Sequence, residues 1–178
     1  MSELYLDRLR KFHDSLGIPE EYMDTCALPL CIEPNVLVET ELDFYNRPQR
    51  LTPQALAAWA SMRDAAAREE HILFLISAFR DLEYQHDLIA RKVQQGRSLE
   101  EVLRVNAAPG YSEHHTGRAI DVGTVDCDAL TAEFDQTAAF AWLKINAAKF
   151  GFTMTYPQDN VYGIDYEPWH WCFQGIEI

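Results

Sequence analysis

"GYSEHHTGRAIDVG", residues 110–123, decides how this chain is read. Its last five residues alternate as a strand does. Ile120 and Val122 point to one face, and Ala119, Asp121 and Gly123 to the other. The second face is small except for one carboxylate. A buried, unpaired carboxylate is costly, so Asp121 needs a cation or strong donors. An arginine partner or a turn-capping role is the plain alternative. Two histidines, His114 and His115, stand upstream. His114 is an odd number of positions from Asp121, which on a straight strand puts the two side chains on opposite faces. The chain must bend for them to meet, and Gly117 has the freedom to bend it. Local geometry leaves both histidines open as partners.

The second informative stretch is "DYEPWHWCF", residues 165–173. A catalytic zinc site takes three side-chain donors and keeps a fourth position for water. His170, in an aromatic strand, is a candidate third donor. Glu167 lies three positions earlier, again on the wrong face of a regular strand. Pro168 belongs at a strand's start or on an edge, which puts Glu167 in the bend entering the strand, free to turn toward a metal-bound water. Trp169 and Trp171 read as sheet packing. The other histidines, His13, His71 and His86, sit in or beside predicted helices among charged residues and read as solvated.

Around these motifs the pattern mixes helices and strands. Residues 2–16 predict a helix stopped by Gly17, and 17–50 a proline-containing, loop-rich segment with a strand inside "NVLVETELDFY". Thr52 caps a helix with Pro53 at its first position, running to about residue 70. "ILFLIS", 72–77, predicts a buried strand, and 81–95 a helix. Ser98 and Glu101 make a capping box for a short helix to about Asn106. Residues 134–150 predict an amphipathic helix stopped by Gly151, and "FTMTY" and "WHWCF" two more strands. Without a regular βαβ rhythm, the expectation is α+β: a small, mostly antiparallel sheet flanked by helices, with the zinc site at the sheet. One domain, 1–178, is expected, with an N-terminal helix and loop-rich segment over 1–50 and the catalytic core over 51–178.

The chain has 178 residues, enough for one domain with a core. Its net charge of −13 argues against nucleic-acid or anionic-membrane binding. The N-terminal residues are charged throughout and do not read as a secretory leader, and no run of about 18 apolar residues occurs. The expected compartment is the cytoplasm. The four cysteines form no C-x-x-C pair and read as reduced thiols.

"SEHHTGRAID" fits S-x-H-x-x-G-x-A-x-D, and "EPWH" fits E-x-W-H. In this order and at this distance the two resemble the zinc D-alanyl-D-alanine carboxypeptidases of the VanY type, in a wider group with D,D-dipeptidases, phage murein peptidases and hedgehog-like domains. The resemblance covers roughly residues 70–175. It implies His114, Asp121 and His170 as ligands of one zinc ion per chain, Glu167 as catalytic base, and His115 at a variable position. "SAFRDLEYQ", 77–85, is similar to the family's S-x-[FY]-R-S-x-x-x-Q segment and implies catalytic and substrate-binding roles for Arg80, with substrate contacts from Gln85 and Ser112. Asp81 stands where the family has Ser, and Gln158 and Asp159 stand where it often has Gly-Lys. The implied substrate is a small peptide, a peptidoglycan stem peptide or muropeptide losing its terminal D-alanine. L,D-activity on recycled tetrapeptides is favoured. D,D-activity on pentapeptides or cleavage of free D-Ala-D-Ala is the alternative, and a non-catalytic zinc-binding domain the distant one. No obligatory protein partner is implied.

Overall fold

A computed structural model of the protein describes residues 3–175. The first helix, expected from residue 2, is described as α1, Glu3–Leu16; Met1 and Ser2 lie outside the described residues. A short α2, Tyr22–Thr25, and a two-residue pair, β1 (Val38–Glu39) with β2 (Arg50–Leu51), lie within the loop-rich segment. Then come α3 (Pro53–Arg68), β3 (Phe74–Ser77), α4 (Leu82–Gln94), α5 (Leu99–Leu103), β4 (Ala119–Gly123), α6 (Ala138–Asn146), β5 (Phe152–Met154) and β6 (His170–Phe173).

Local chemistry explains the helix starts. The Thr52 hydroxyl accepts from the Ala55 N–H, with Pro53 at the first helical turn. Asp81 caps α4 by accepting from Tyr84 N–H. Both halves of the Ser98–Glu101 capping box are made. The expected helix over 134–150 is divided. Thr137 takes an extended conformation and caps α6 by accepting from Phe140 N–H, with 3₁₀ turns before it (Ala132–Gln136) and after it (Ala147–Phe150). Apolar periodicity spans this break because Phe134 in the first turn is buried as the helical residues are.

The main sheet runs β3-β4-β6-β5, and every pairing is antiparallel. Leu75, Ile120, Val122 and Trp171 pack with Trp59 and Met62 of α3 and Phe140 and Leu143 of α6 in the larger core. A second cluster joins Ile18 and Leu28 to Ala107, Ala108, Tyr111, Tyr156 and Ile164. β3 is an edge strand, and the loop-rich segment covers its open side. Phe44 N–H donates to Leu75 O, Arg47 Nη2 to Ile76 O, Ala78 N–H to the Gln49 side chain and Phe79 N–H to Arg50 O. Asp43, itself buried, organises this cover by accepting from Arg47 and Gln49.

One histidine departs from expectation. His13 is not solvated: only 3% exposed, it packs edge-on to Tyr22, and its ring nitrogen lies 2.8 Å from Pro109 O. Helix α1 lays its Leu9–His13 face over the 107–111 segment, a contact local sequence does not foreshadow. His71 and His86 are partly exposed.

Candidate metal centre

Asp121 projects from β4 on the face opposite Ile120 and Val122, and its cross-strand neighbours are Ser77 and His170. His114 reaches the same point from a 3₁₀ turn, Glu113–Thr116, that ends at Gly117 with φ +62°. A side chain at Gly117 would also start 2.6 Å from Leu37 Cδ2. The bend is therefore where the odd spacing required it. Ligand atoms of His114, Asp121 and His170 all lie within 4.8 Å of one another, and all three residues are buried.

Hydrogen bonds set the histidine tautomers. His114 Nδ1 is 2.6 Å from Ala78 O. A carbonyl only accepts, so Nδ1 carries the proton and Nε2 the lone pair. That Nε2 is buried, has no hydrogen-bond partner and lies 3.3 Å from Asp121 Oδ1. His170 presents the opposite nitrogen. Its Nε2–H donates to Glu113 Oε2 at 2.8 Å, and Thr155 Oγ1 donates to the same oxygen at 2.7 Å. Its Nδ1 faces Asp121 Oδ1 at 3.1 Å. Each imidazole is thus fixed from behind by an oxygen acceptor and turns its other nitrogen to the cluster.

Charge follows the geometry. Burial works against ionised Asp121, but His114 and His170 hold its carboxyl far below the usual range. Burial also works against charge on His170, yet its bonds to Asp121 and Glu113 raise its pKa to about 10. His114 goes the other way, to about 4, chiefly through burial and then through the Arg80 charge. A buried carboxylate demands positive charge here, and a divalent cation satisfies it as an imidazolium does, with release of the proton. The donor set and the orphaned His114 nitrogen therefore fit a metal ion of the zinc type.

Glu167 lies in the bend before β6, with Oε2 3.9 Å from His170 Nδ1. Burial raises its pKa to about 7, and Asp121 adds to the rise, while His170, Arg80 and Lys92 oppose it. Arg80 lies three residues past the end of β3, and its N–H donates to His114 O. Neither neighbouring acid claims it: Asp81 caps α4, and Glu83 pairs with Arg8. Its buried Nε has no partner. A cleft of about 190 Å³ opens beside Arg80, walled also by Arg50, Ser77, Phe79 and Tyr84.

The remaining residues divide. Ser112 is buried, and its hydroxyl makes no hydrogen bond among the described residues. Gln85 is fully enclosed, and its amide donates to Ala107 O, tying α4 to the 107–111 segment. Its Oε1 is buried and has no hydrogen-bond partner. His115 is outside the cluster but is no bystander. Fully buried, it donates from Nδ1 to Arg80 O and accepts from Gly110 N–H at Nε2. Sequence reasoning missed Glu113 and Thr155. Glu113 occupies the unspecified position of S-x-H, so only its tertiary partner reveals it.

An α+β scaffold carrying a buried His–Asp–His set, with a carboxylate of raised pKa beside it, is the layout of a metal-dependent hydrolase. Residues 48–176 match the family VanY, D-alanyl-D-alanine carboxypeptidase. YodJ of Bacillus subtilis (strain 168), a carboxypeptidase by name, is 33% identical over 158 residues, covering 84% of this chain and 57% of its own length. The chain thus spans little more than half of that relative. The LdcB LD-carboxypeptidase has a similar structure, with TM-score 0.72 and 30% identity over 80% of this chain and 70% of its own. A vancomycin-resistance D,D-pentapeptidase VanY, solved in complex with Zn(II), shares the fold with TM-score 0.62 and 22% identity, over 83% and 88%. This chain belongs to the VanY D-alanyl-D-alanine carboxypeptidase family, a family of hydrolytic enzymes. No described helix is long and apolar enough to cross a membrane.

Proposed function

We propose that this protein is a zinc carboxypeptidase that removes the terminal D-alanine from peptidoglycan stem peptides, with L,D-activity on tetrapeptide muropeptides. The observation that carries the reading is Glu167, enclosed beside two histidines that are each held from behind by an oxygen and turn their other ring nitrogen to Asp121. His114, Asp121 and His170 would hold one zinc ion per chain. Such an ion, when bound, lowers the pKa of a water toward neutrality and polarises a carbonyl.

The chain's own groups do the rest. Glu167, with its pKa near 7, takes a proton from the attacking water and delivers it to the leaving amine. Arg80 offers a planar guanidinium, free of ion pairs among the described residues, to the substrate's terminal carboxylate or its carbonyl oxygen. Ser112 adds a neutral hydrogen bond. Gln85 acts behind the surface, shaping the wall through Ala107. The 190 Å³ cleft beside Arg80 takes part of the peptide. Residues 1–178 work as one domain, with residues within 3–50 covering the β3 edge and the 107–111 segment. Four free thiols support a reducing compartment, and we place the enzyme in the cytoplasm acting on recycled muropeptides. Small peptides are its partners, with no nucleic acid, membrane or obligatory protein.

Likeness to LdcB in both sequence and fold supports the L,D-assignment. The family and the D,D-pentapeptidase fold keep D,D-cleavage of pentapeptides as the second reading. Incubation of the zinc-loaded protein with tetra- and pentapeptide muropeptides, with products identified by mass, separates them: D-alanine released from the tetrapeptide is expected. A Glu167→Gln protein should retain its zinc and lose about 10²–10⁴-fold in turnover. Release from neither peptide refutes both readings.

A further inference from the structure

Asp81 stands where the family has Ser, and α4 does not need its charge. Only one oxygen is used: Oδ1 accepts from Tyr84 N–H at 2.8 Å, and a serine hydroxyl caps a helix about as well. The Asp81 carboxylate forms no ion pair among the described residues. It lines the 190 Å³ cleft that also holds Arg80. Arg50 lines the same cleft. Its guanidinium lies 5.1 Å from the centre of the Phe79 ring and pairs with no carboxylate among the described residues. Its neighbour Arg47 is already engaged, by Asp43 and Ile76 O. Arg50 and Asp81 thus share one small space, opposite in charge, without closing on each other. Charges held apart in this way suit a ligand that carries both signs.

The walls of the cleft tie it to the metal centre. Ser77 is one of them, and it pairs across the sheet with Asp121. Paired Cα atoms of antiparallel strands are about 4.5–5.5 Å apart. Arg80 is another, and its N–H donates to His114 O. A peptide whose scissile carbonyl sits at Asp121 and His114 therefore has this cleft within reach of the side chain just before the scissile bond. Phe79 and Tyr84 give the cleft aromatic walls suited to methylenes. Its 190 Å³ equals roughly six waters at about 30 Å³ each, room for one long side chain. In stem peptides that residue is a diamino acid, lysine or diaminopimelate. Lysine ends in an ammonium alone. Diaminopimelate ends in an ammonium and a carboxylate on one carbon, and only that pair satisfies Asp81 and Arg50 together.

We infer that Arg50 and Asp81 hold the zwitterionic end of a diaminopimelate side chain, which makes them specificity-determining residues for stem peptides of the diaminopimelate type. This rests on the carboxypeptidase reading of the site. Affinities are measured by calorimetry on zinc-loaded Glu167→Gln protein, so that peptide is not consumed. Three tetrapeptides ending in D-alanine are compared: one with diaminopimelate at the third position, one with that side-chain carboxyl amidated, and one with norleucine there. The protein with Arg50 and Asp81 should prefer the free acid to the amide. Arg50→Met should lose about fivefold of that preference, the scale of a half-exposed bidentate contact, and leave norleucine binding unchanged. Asp81→Ser, which keeps the cap on α4, should weaken binding of both diaminopimelate peptides and leave norleucine binding unchanged. Equal affinity for acid and amide overturns the inference, and so does a preference that survives Arg50→Met. Equal losses for all three peptides in Arg50→Met or Asp81→Ser overturn it too, since they place the effect on the shared terminus or on the fold. No D-alanine release by the unaltered enzyme, with the preference for the acid intact, overturns the carboxypeptidase reading and leaves the side-chain site standing.

Discussion

His114 and His115 are adjacent, yet they do opposite work. In a 3₁₀ turn successive side chains are about a third of a circle apart, so one ring meets Asp121 and the other meets Gly110 and the Arg80 carbonyl. His114→Ala should abolish stoichiometric zinc binding. His115→Ala should keep the ligand set but destabilise the fold by about 1–3 kcal/mol, because two buried backbone groups lose their partner. Metal analysis and urea unfolding of the two variants test this contrast. Glu113 stands one hydrogen bond behind His170. Its carboxylate fixes the His170 tautomer, so Glu113→Ala should weaken zinc binding about 10–100-fold, read by chelator competition, with His114 and Asp121 intact.

Elements succeed here where local signals are strong. The caps at Thr52, Asp81 and Ser98 are short-range hydrogen bonds between near neighbours, and sequence shows them. The AIDVG strand is legible from its alternation. The turn carrying His114 is not, because "SEHHTG" has no apolar period to read. Gly117 alone marks it, with positive φ and Leu37 Cδ2 2.6 Å from where a Cβ would stand. Gly117→Ala should therefore cost at least about 1 kcal/mol from backbone conformation alone, plus the displacement of Leu37. It should also lower zinc affinity by shifting His114 away from Asp121. Thermal unfolding with and without added zinc reads both effects.

For the whole molecule, buried neutral histidines contribute to the pH dependence of stability. Burial lowers the pKa of His13, and it lowers that of His115 to about 4. Unfolded histidine titrates near about 6.5. Below that pH the unfolded chain takes up protons that folded His13 and His115 refuse, so stability falls as pH drops, until the folded groups titrate. His170 and Glu167, whose folded pKa values are raised, act in the opposite sense, so the histidine contribution is read as a difference between variants in urea unfolding at pH 7.5 and pH 5. A His13→Gln variant, whatever its stability at pH 7.5, should lose less on acidification.

What the sequence determined by itself is the chemistry on offer: Asp121 misplaced on a small strand face, histidines upstream and downstream, a glutamate before a proline, and a glycine where the chain had to turn. Those are local facts of spacing and residue type. Tertiary structure decided which groups stand behind the site and which charges surround it. Glu113 and His170 are 57 residues apart in sequence, yet they are hydrogen-bonded. His13 and Gln85 went inside because α1 and α4 close on the 107–111 segment. No periodicity encodes such pairings, since hydrogen bonds and Coulomb forces depend on distance in space, and only folding of the sheet and helices sets that distance.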